Sequence, residues 1–209
     1  MKLKNKLGFT LVEIIVALTI FSIIMISVMS VYIFSSETTY NSEITRSMHE
    51  NIKNIVLDIS EDVVKNGIEG VSDSISSNNE CSFAKDENNI NIFKQGFIFC
   101  TRENTYTVAK KNSSGTFLPV SDPVDCDNIN SECYLIKQSK TNSGEYNPLT
   151  NSLVTIRDLK FRVTNNGVKK VSIFAKIQPS IKAGVRPSLI EKNIFNLQTT
   201  LSERTYNNK

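Results

Sequence analysis

Gly8 and Glu13 are the residues whose types and spacing could do chemistry, five positions apart at the entrance to a long apolar run. A basic leader carrying Lys2, Lys4 and Lys6 precedes Gly8, and Phe9 to Phe34 follow with Glu13 as their only charged side chain. A cut between Gly8 and Phe9 would free an amine four residues before that carboxylate. The chemistry on offer is therefore peptide hydrolysis at Gly8, followed by pairing of an ammonium with a carboxylate in apolar surroundings. A carboxylate near the centre of a spanning helix costs about 2.5–3.5 kcal/mol on insertion scales, less toward an end, so it usually has a partner. One helix cannot easily fold its own N-terminus back onto Glu13. A neighbouring helix, axially offset, can present its amine there, so the spacing favours staggered assembly.

Other constellations are thinner. Cys81, Cys100, Cys126 and Cys133 all follow the apolar run, and an even count outside the cytoplasm favours disulfides. Of three pairings, Cys126–Cys133, closing a short loop, with Cys81–Cys100 is preferred. Zinc is disfavoured because no pair has close C-x₂₋₄-C spacing and the only histidine, His49, is far upstream. Asp122, Asp125 and Asp127, with Glu132, are calcium candidates, since hard cations want convergent oxygens, though the EF-hand glycine is missing. His49 reads as a solvated or packed helix residue. No G-x-S-x-G, phosphate-cradling glycine loop or H-E-x-x-H occurs, so no enzyme activity and no cofactor are expected.

Charge is balanced in sum and uneven along the chain. Without the leader, basic and acidic side chains number 21 each. Phe9–Cys100 carries a net −7 and Arg157–Lys192 a net +7, so opposite halves of stacked subunits could attract. Lys160, Arg162, Lys169, Lys170 and Lys176 lie near Phe161 and Phe174, which raises nucleic-acid contact as an alternative. The alternation predicts Phe161 inward, which argues against it.

These residues need elements to hold them. Phe9 to Phe34, 26 residues, make roughly 39 Å of helix, enough to cross a hydrocarbon core of about 30 Å. The run is too long for a secretory signal and has no small-residue cleavage site after it. The lysines would hold the leader on the cytoplasmic side. Ile44, Met48, Ile52, Ile55, Ile59 and Val63 then recur at helical intervals, and Asn66-Gly67 supplies a stop. The organisation expected is a leader, 1–8; a membrane helix, 9–34; its amphipathic continuation, 35–66; and a β-rich extracytoplasmic domain, 67–209. Strand-like runs are Gly96–Cys100, Thr105–Ala109, Cys133–Ile136 and Phe195–Leu201. The clearest is the alternation of Leu159, Phe161 and Val163 with that of Val171, Ile173, Ala175 and Ile177 across Asn166-Gly167, a hairpin signal. Gly70–Asn91 and Ser121–Glu132 read as polar loops, Asn142–Asn151 as a turn. The fold class is α+β, a long N-terminal helix packed on an antiparallel sheet.

Lys6-Leu7-Gly8-Phe9-Thr10-Leu11-Val12-Glu13-Ile14-Ile15-Val16-Ala17-Leu18 closely resembles the class III signal of type IV prepilins and type II secretion pseudopilins. The carboxyl-terminal Leu197-Gln198-Thr199-Thr200-Leu201-Ser202-Glu203-Arg204 more loosely resembles the segment that closes the sheet in larger minor subunits. The resemblance implies cutting after Gly8 by a prepilin peptidase, N-methylation of Phe9, and docking through Glu13 onto the adjacent subunit. It implies a minor structural subunit of a type IV pilus, competence pilus or type II secretion pseudopilus. Partners would be other pilins, the peptidase, an inner-membrane assembly platform, and lipid before assembly. The chain departs from many major pilins in having no proline or glycine between Phe9 and Asn66. The alternatives are a membrane-tethered extracytoplasmic binding protein and a DNA-contacting pilus-tip subunit.

Overall fold

The computed structural model describes residues 10–74, 81–82, 93–112, 114–121, 126, 131–141, 145–181, 190 and 193–204. The chain divides into two compact units, 1–43 and 44–209, and helix α1 (Leu11–Asn66) contributes to both. In the first unit α1 is apolar and uncovered: Leu11 to Phe34 present their large side chains outward. It is long and apolar enough to cross a membrane.

In the second unit the same helix becomes one-sided. Ile44, Met48, Ile55, Ile59 and Val63 are buried, while Arg46, Glu50, Lys53 and Glu61 face out. Burying each of these aliphatic side chains contributes about 1.5–3 kcal/mol, which is what fixes the helix to the domain. Gly67, at φ 71°, ends α1 by adopting the left-handed conformation open to glycine, and its N–H bonds to the Val63 carbonyl at 3.0 Å.

Among the described residues ten strands follow: β1 Ile68–Ser72, β2 Phe93–Gly96, β3 Ile98–Thr101, β4 Asn104–Lys111, β5 Phe117–Pro119, β6 Cys133–Ser139, β7 Tyr146–Pro148, β8 Val154–Asn165, β9 Lys169–Pro179 and β10 Phe195–Ser202. They form two antiparallel sheets. One runs β1-β3-β4-β6-β7 with β5 paired to β4, and the other runs β10-β9-β8-β2. The architecture is α+β and pilin-like, one long helix and then antiparallel sheets.

The β8–β9 hairpin follows the alternation in the sequence. Leu159, Phe161 and Val163 are buried, as are Val171, Ile173, Ala175 and Ile177. Its connection has three residues rather than two, since Asn165 faces Lys169 and Gly167 takes φ 83°. A bulge between Ile156 and Asp158 interrupts the register and brings Arg157 inside, 5% exposed. Phe99 joins the two sheets, its ring 5.3 Å from that of Phe161 and 5.8 Å from that of Tyr106. The structure pairs Cys81 with Cys100 and Cys126 with Cys133, at Cα separations of 6.0 and 5.9 Å.

Several regions read as loops hold short strands instead. β1 overlaps the segment after Gly70, and Val71 bridges to Ser82 within it. β7 lies in the expected turn 142–151. Strands of three to five residues show no period to read, and their pairing is decided by the neighbours they meet.

Candidate assembly site

The described part of the N-terminal motif begins at Thr10, which caps α1. The Thr10 N–H and hydroxyl both donate to Glu13 Oε2, at 3.1 and 3.0 Å, and the Glu13 N–H donates back to Thr10 Oγ1 at 3.3 Å. This is a capping box: the first turn of a helix has N–H groups with no carbonyl partner, and the T-x-x-E spacing satisfies two of them reciprocally. Glu13 thus has a local partner in its own turn, which the cost of a carboxylate in lipid did not reveal. The signal was present in the sequence as Thr10-Leu11-Val12-Glu13. Gly8 and Phe9 lie outside the described residues.

The apolar stripe beyond Glu13 carries its own polar groups inward. Thr19, Ser22, Ser27 and Ser30 each donate their hydroxyl to a carbonyl one turn back, at 2.8–2.9 Å. None of them needs water, so this helix face is compatible with lipid or with other apolar helices.

A second polar group sits where α1 meets the first sheet. Asp62, 5% exposed, accepts hydrogen bonds from Thr101 Oγ1 (2.7 Å) and the Tyr106 hydroxyl (2.8 Å) on Oδ2. Asn104 Nδ2 (2.8 Å) and Asn66 Nδ2 donate to Oδ1. Four donors surround one carboxylate, the condition for burying it at modest cost. One turn earlier, Asp58 pairs with Lys137 at 3.1 Å. Burial, then the charges of Asp62 and Asp58, push the Tyr106 phenol well above the ordinary tyrosine range. The helical pattern alone does not show this network, because three of the donors to Asp62 lie 39 to 44 positions downstream. Its effect is to lock helix to sheet.

The remaining candidates fall as follows. Asp122, Asp125 and Asp127 lie outside the described residues; Glu132 is 3.4 Å from the Tyr134 hydroxyl. Among the described residues no three His, Cys, Asp or Glu side chains group to hold a metal. His49 is exposed and sets its ring edge-on to Phe195 at 4.8 Å. Phe161 is fully buried, whereas Lys160, Arg162 and Lys170 are exposed.

A family comparison matches residues 3–29 to the prokaryotic N-terminal methylation motif. This segment is the class III prepilin signal. Together with the apolar helix it supports a type IV pilin- or pseudopilin-like protein. The prepilin motif implies processing by prepilin peptidase and assembly with other pilins. Its helix fits membrane anchoring. Comparison of the chain with curated proteins and with solved structures returned no match.

Proposed function

We propose that this protein is a minor filament subunit of a type IV pilus, competence pilus or type II secretion pseudopilus. The observation that carries the reading is the methylation motif at residues 3–29 running into a helix whose apolar side chains are uncovered. Prepilin peptidase cuts after Gly8, Phe9 is N-methylated, and residues 9–34 hold the chain in the cytoplasmic membrane with the domain outside. Assembly transfers that helix into a bundle of like helices, so apolar surface stays buried throughout. In the bundle a neighbour's methylated amine reaches Glu13. The work of extraction is supplied by an inner-membrane platform.

Mass spectrometry of the native protein tests the processing step: the mature chain is expected to begin at N-methylated Phe9. Glu13→Ala tests the docking step. A filament subunit loses incorporation into sheared filaments while remaining in the membrane. A tethered binding protein is indifferent to the change, and indifference would overturn the proposal.

A further inference from the structure

The chain holds two Asn-Gly steps, Asn66-Gly67 at the end of α1 and Asn166-Gly167 at the tip of the β8–β9 hairpin. Such a step carries chemistry of its own. The main-chain nitrogen after an asparagine can close a five-membered ring on the side-chain amide carbon, and attack within one chain gains from proximity. Glycine puts no Cβ beside that nitrogen and leaves the backbone free to turn toward the ring.

The two steps share a sequence and differ in restraint. At Asn66 both reacting partners are occupied: Nδ2 donates to Asp62 Oδ1, and the Gly67 N–H donates to the Val63 carbonyl at 3.0 Å. The Asp62 anion also opposes removal of a proton from the nearby Gly67 amide. Asn151, which precedes the small residue Ser152, is held as well. Its Oδ1 accepts from the Leu153 N–H at 3.0 Å, and its Nδ2 donates to Ser47 Oγ at 3.3 Å.

At Asn166 neither partner is held. Among the described residues no hydrogen bond reaches the Asn166 side chain or the Gly167 N–H. Both residues are exposed, and a Cβ placed on Gly167 would meet nothing within 4 Å. Solvent and the attacking nitrogen therefore have free access to the same amide carbon.

We infer that Asn166 is a site of spontaneous modification, at which water replaces its side-chain amide by a carboxylate through a cyclic imide. The Gly167 amide gives its proton to a solvent base, and its nitrogen bonds to Asn166 Cγ. The Cγ–Nδ2 bond breaks, and Nδ2 takes a proton from solvent and leaves as ammonia. Water then adds to one of the two imide carbonyls. Addition at Cγ breaks the new bond and gives aspartate. Addition at the Asn166 main-chain carbonyl breaks the original peptide bond and gives isoaspartate. One water is consumed, one ammonia is released, and nothing is oxidised or reduced.

Either product puts an anion within four residues of Lys169 and Lys170. Isoaspartate also adds a methylene to the main chain of the turn that joins Asn165 to Lys169. The surface charge of the domain thus changes with the age of the molecule. The site lies wholly in the hairpin, so the inference stands or falls separately from N-terminal processing.

The test incubates the full chain in non-ionic detergent micelles in mildly alkaline buffer and maps its peptides by mass spectrometry over time. The peptide holding Asn166 should gain about one dalton and become a substrate for an isoaspartate-specific methyltransferase. Asn66 should convert at least about tenfold more slowly, because two hydrogen bonds must open first. Unfolding in urea should abolish that difference, since the two dipeptides are then alike. Gly167→Ala should slow conversion of Asn166 at least about tenfold by crowding the nitrogen. Measured in urea, that variant gives its answer whether or not it folds. The inference is overturned if Asn66 converts as fast as Asn166 in the folded chain. It is equally overturned if folded Asn166 survives where the urea-unfolded chain converts, or if Gly167→Ala converts at the wild-type rate.

Discussion

The Tyr106 hydroxyl lies 2.8 Å from Asp62 Oδ2 and 3.1 Å from Asp58 Oδ2, one phenol spanning two carboxylates a helical turn apart. Tyr106 is fully buried on β4, and both aspartates are on α1. The phenol has one proton and shares it between two acceptors. Lys137 on β6 balances Asp58, and Thr101, Asn66 and Asn104 complete the shell of Asp62. A polar contact of this kind fixes where α1 meets the sheet, because sliding the helix by one residue would strand a buried anion.

Alkaline pH should expose this arrangement. The folded phenol holds its proton to higher pH than the unfolded one, whose ordinary value is about 10. The stability it contributes is therefore complete below about pH 10. It is lost as pH rises further, by about 1.4 kcal/mol per pH unit, because the unfolded chain releases a proton that the folded one keeps. Tyr106→Phe should lower stability by about 1 kcal/mol at neutral pH and lack this component of the alkaline decline. Urea unfolding of both proteins between pH 7 and 11 should show the gap closing above pH 10. A constant gap would contradict the assignment.

Removing the anion should cost more. Asp62→Ala leaves four donors without their acceptor at the foot of a polar cleft lined also by Lys65, Glu103 and Lys137, and unfolding in urea should show a loss of about 1–3 kcal/mol. Glu61→Ala, the neighbouring but exposed carboxylate, should change stability by less than about 0.5 kcal/mol. Equal effects from the two would mean that the Asp62 shell is not holding the helix.

Much of this frame is legible in the order of the residues. Ile44, Met48, Ile52, Ile55, Ile59 and Val63 advertise one helical face, and all are buried except Ile52, which is half-buried against the same core. Phe161 and Ile173 alternate with Arg162 and Ser172, and that period of two orients the whole β8–β9 hairpin. β1, β2, β5 and β7 are illegible because three to five residues define no period. Asp62 is illegible for another reason: a carboxylate on an amphipathic helix looks solvated until its donors, 39 to 44 positions away, are brought to it. The N-terminal cap was legible in Thr10 and Glu13, yet the cost of charge in lipid alone pointed only to a neighbour.

The two disulfides should contribute unequally. Cys81–Cys100 closes a separation of 19 residues and Cys126–Cys133 one of 7. Chain-entropy arguments give about 3.3 kcal/mol for the longer loop and about 2.5 for the shorter. Replacing each pair by Ser and following urea unfolding should rank them in that order. The reverse order would show that the longer loop is already constrained in the unfolded chain.

Gly96 and Gly167 should respond to alanine for different reasons. A Cβ at Gly96 would lie 2.5 Å from the Ser72 carbonyl oxygen, so β1 and β2 would have to part, at about 1–3 kcal/mol. A Cβ at Gly167 meets nothing within 4 Å, but its φ of 83° costs an L-residue about 1–2 kcal/mol. Asn tolerates that conformation, so Gly167→Asn should recover most of the loss. Gly96→Asn should be worse than Gly96→Ala. Thermal unfolding midpoints of the four variants check both statements.

Thr10 separates the two roles open to Glu13. As a cap, the pair should lose about 1 kcal/mol of helix-end stability when either member becomes alanine. As an assembly contact, only the carboxylate matters, because a neighbour's amine needs an anion and not a hydroxyl. Thr10→Ala should therefore fray the first turn yet keep incorporation into filaments within about twofold of wild type. Glu13→Gln keeps a side-chain oxygen that can still accept from Thr10, but it has no charge to offer an amine, so incorporation should fall by at least about tenfold. Incorporation is measured in sheared filaments against the amount left in the membrane. If Thr10→Ala and Glu13→Gln fail equally, the first turn is required as a cap and the charge at Glu13 is not what neighbours recognise.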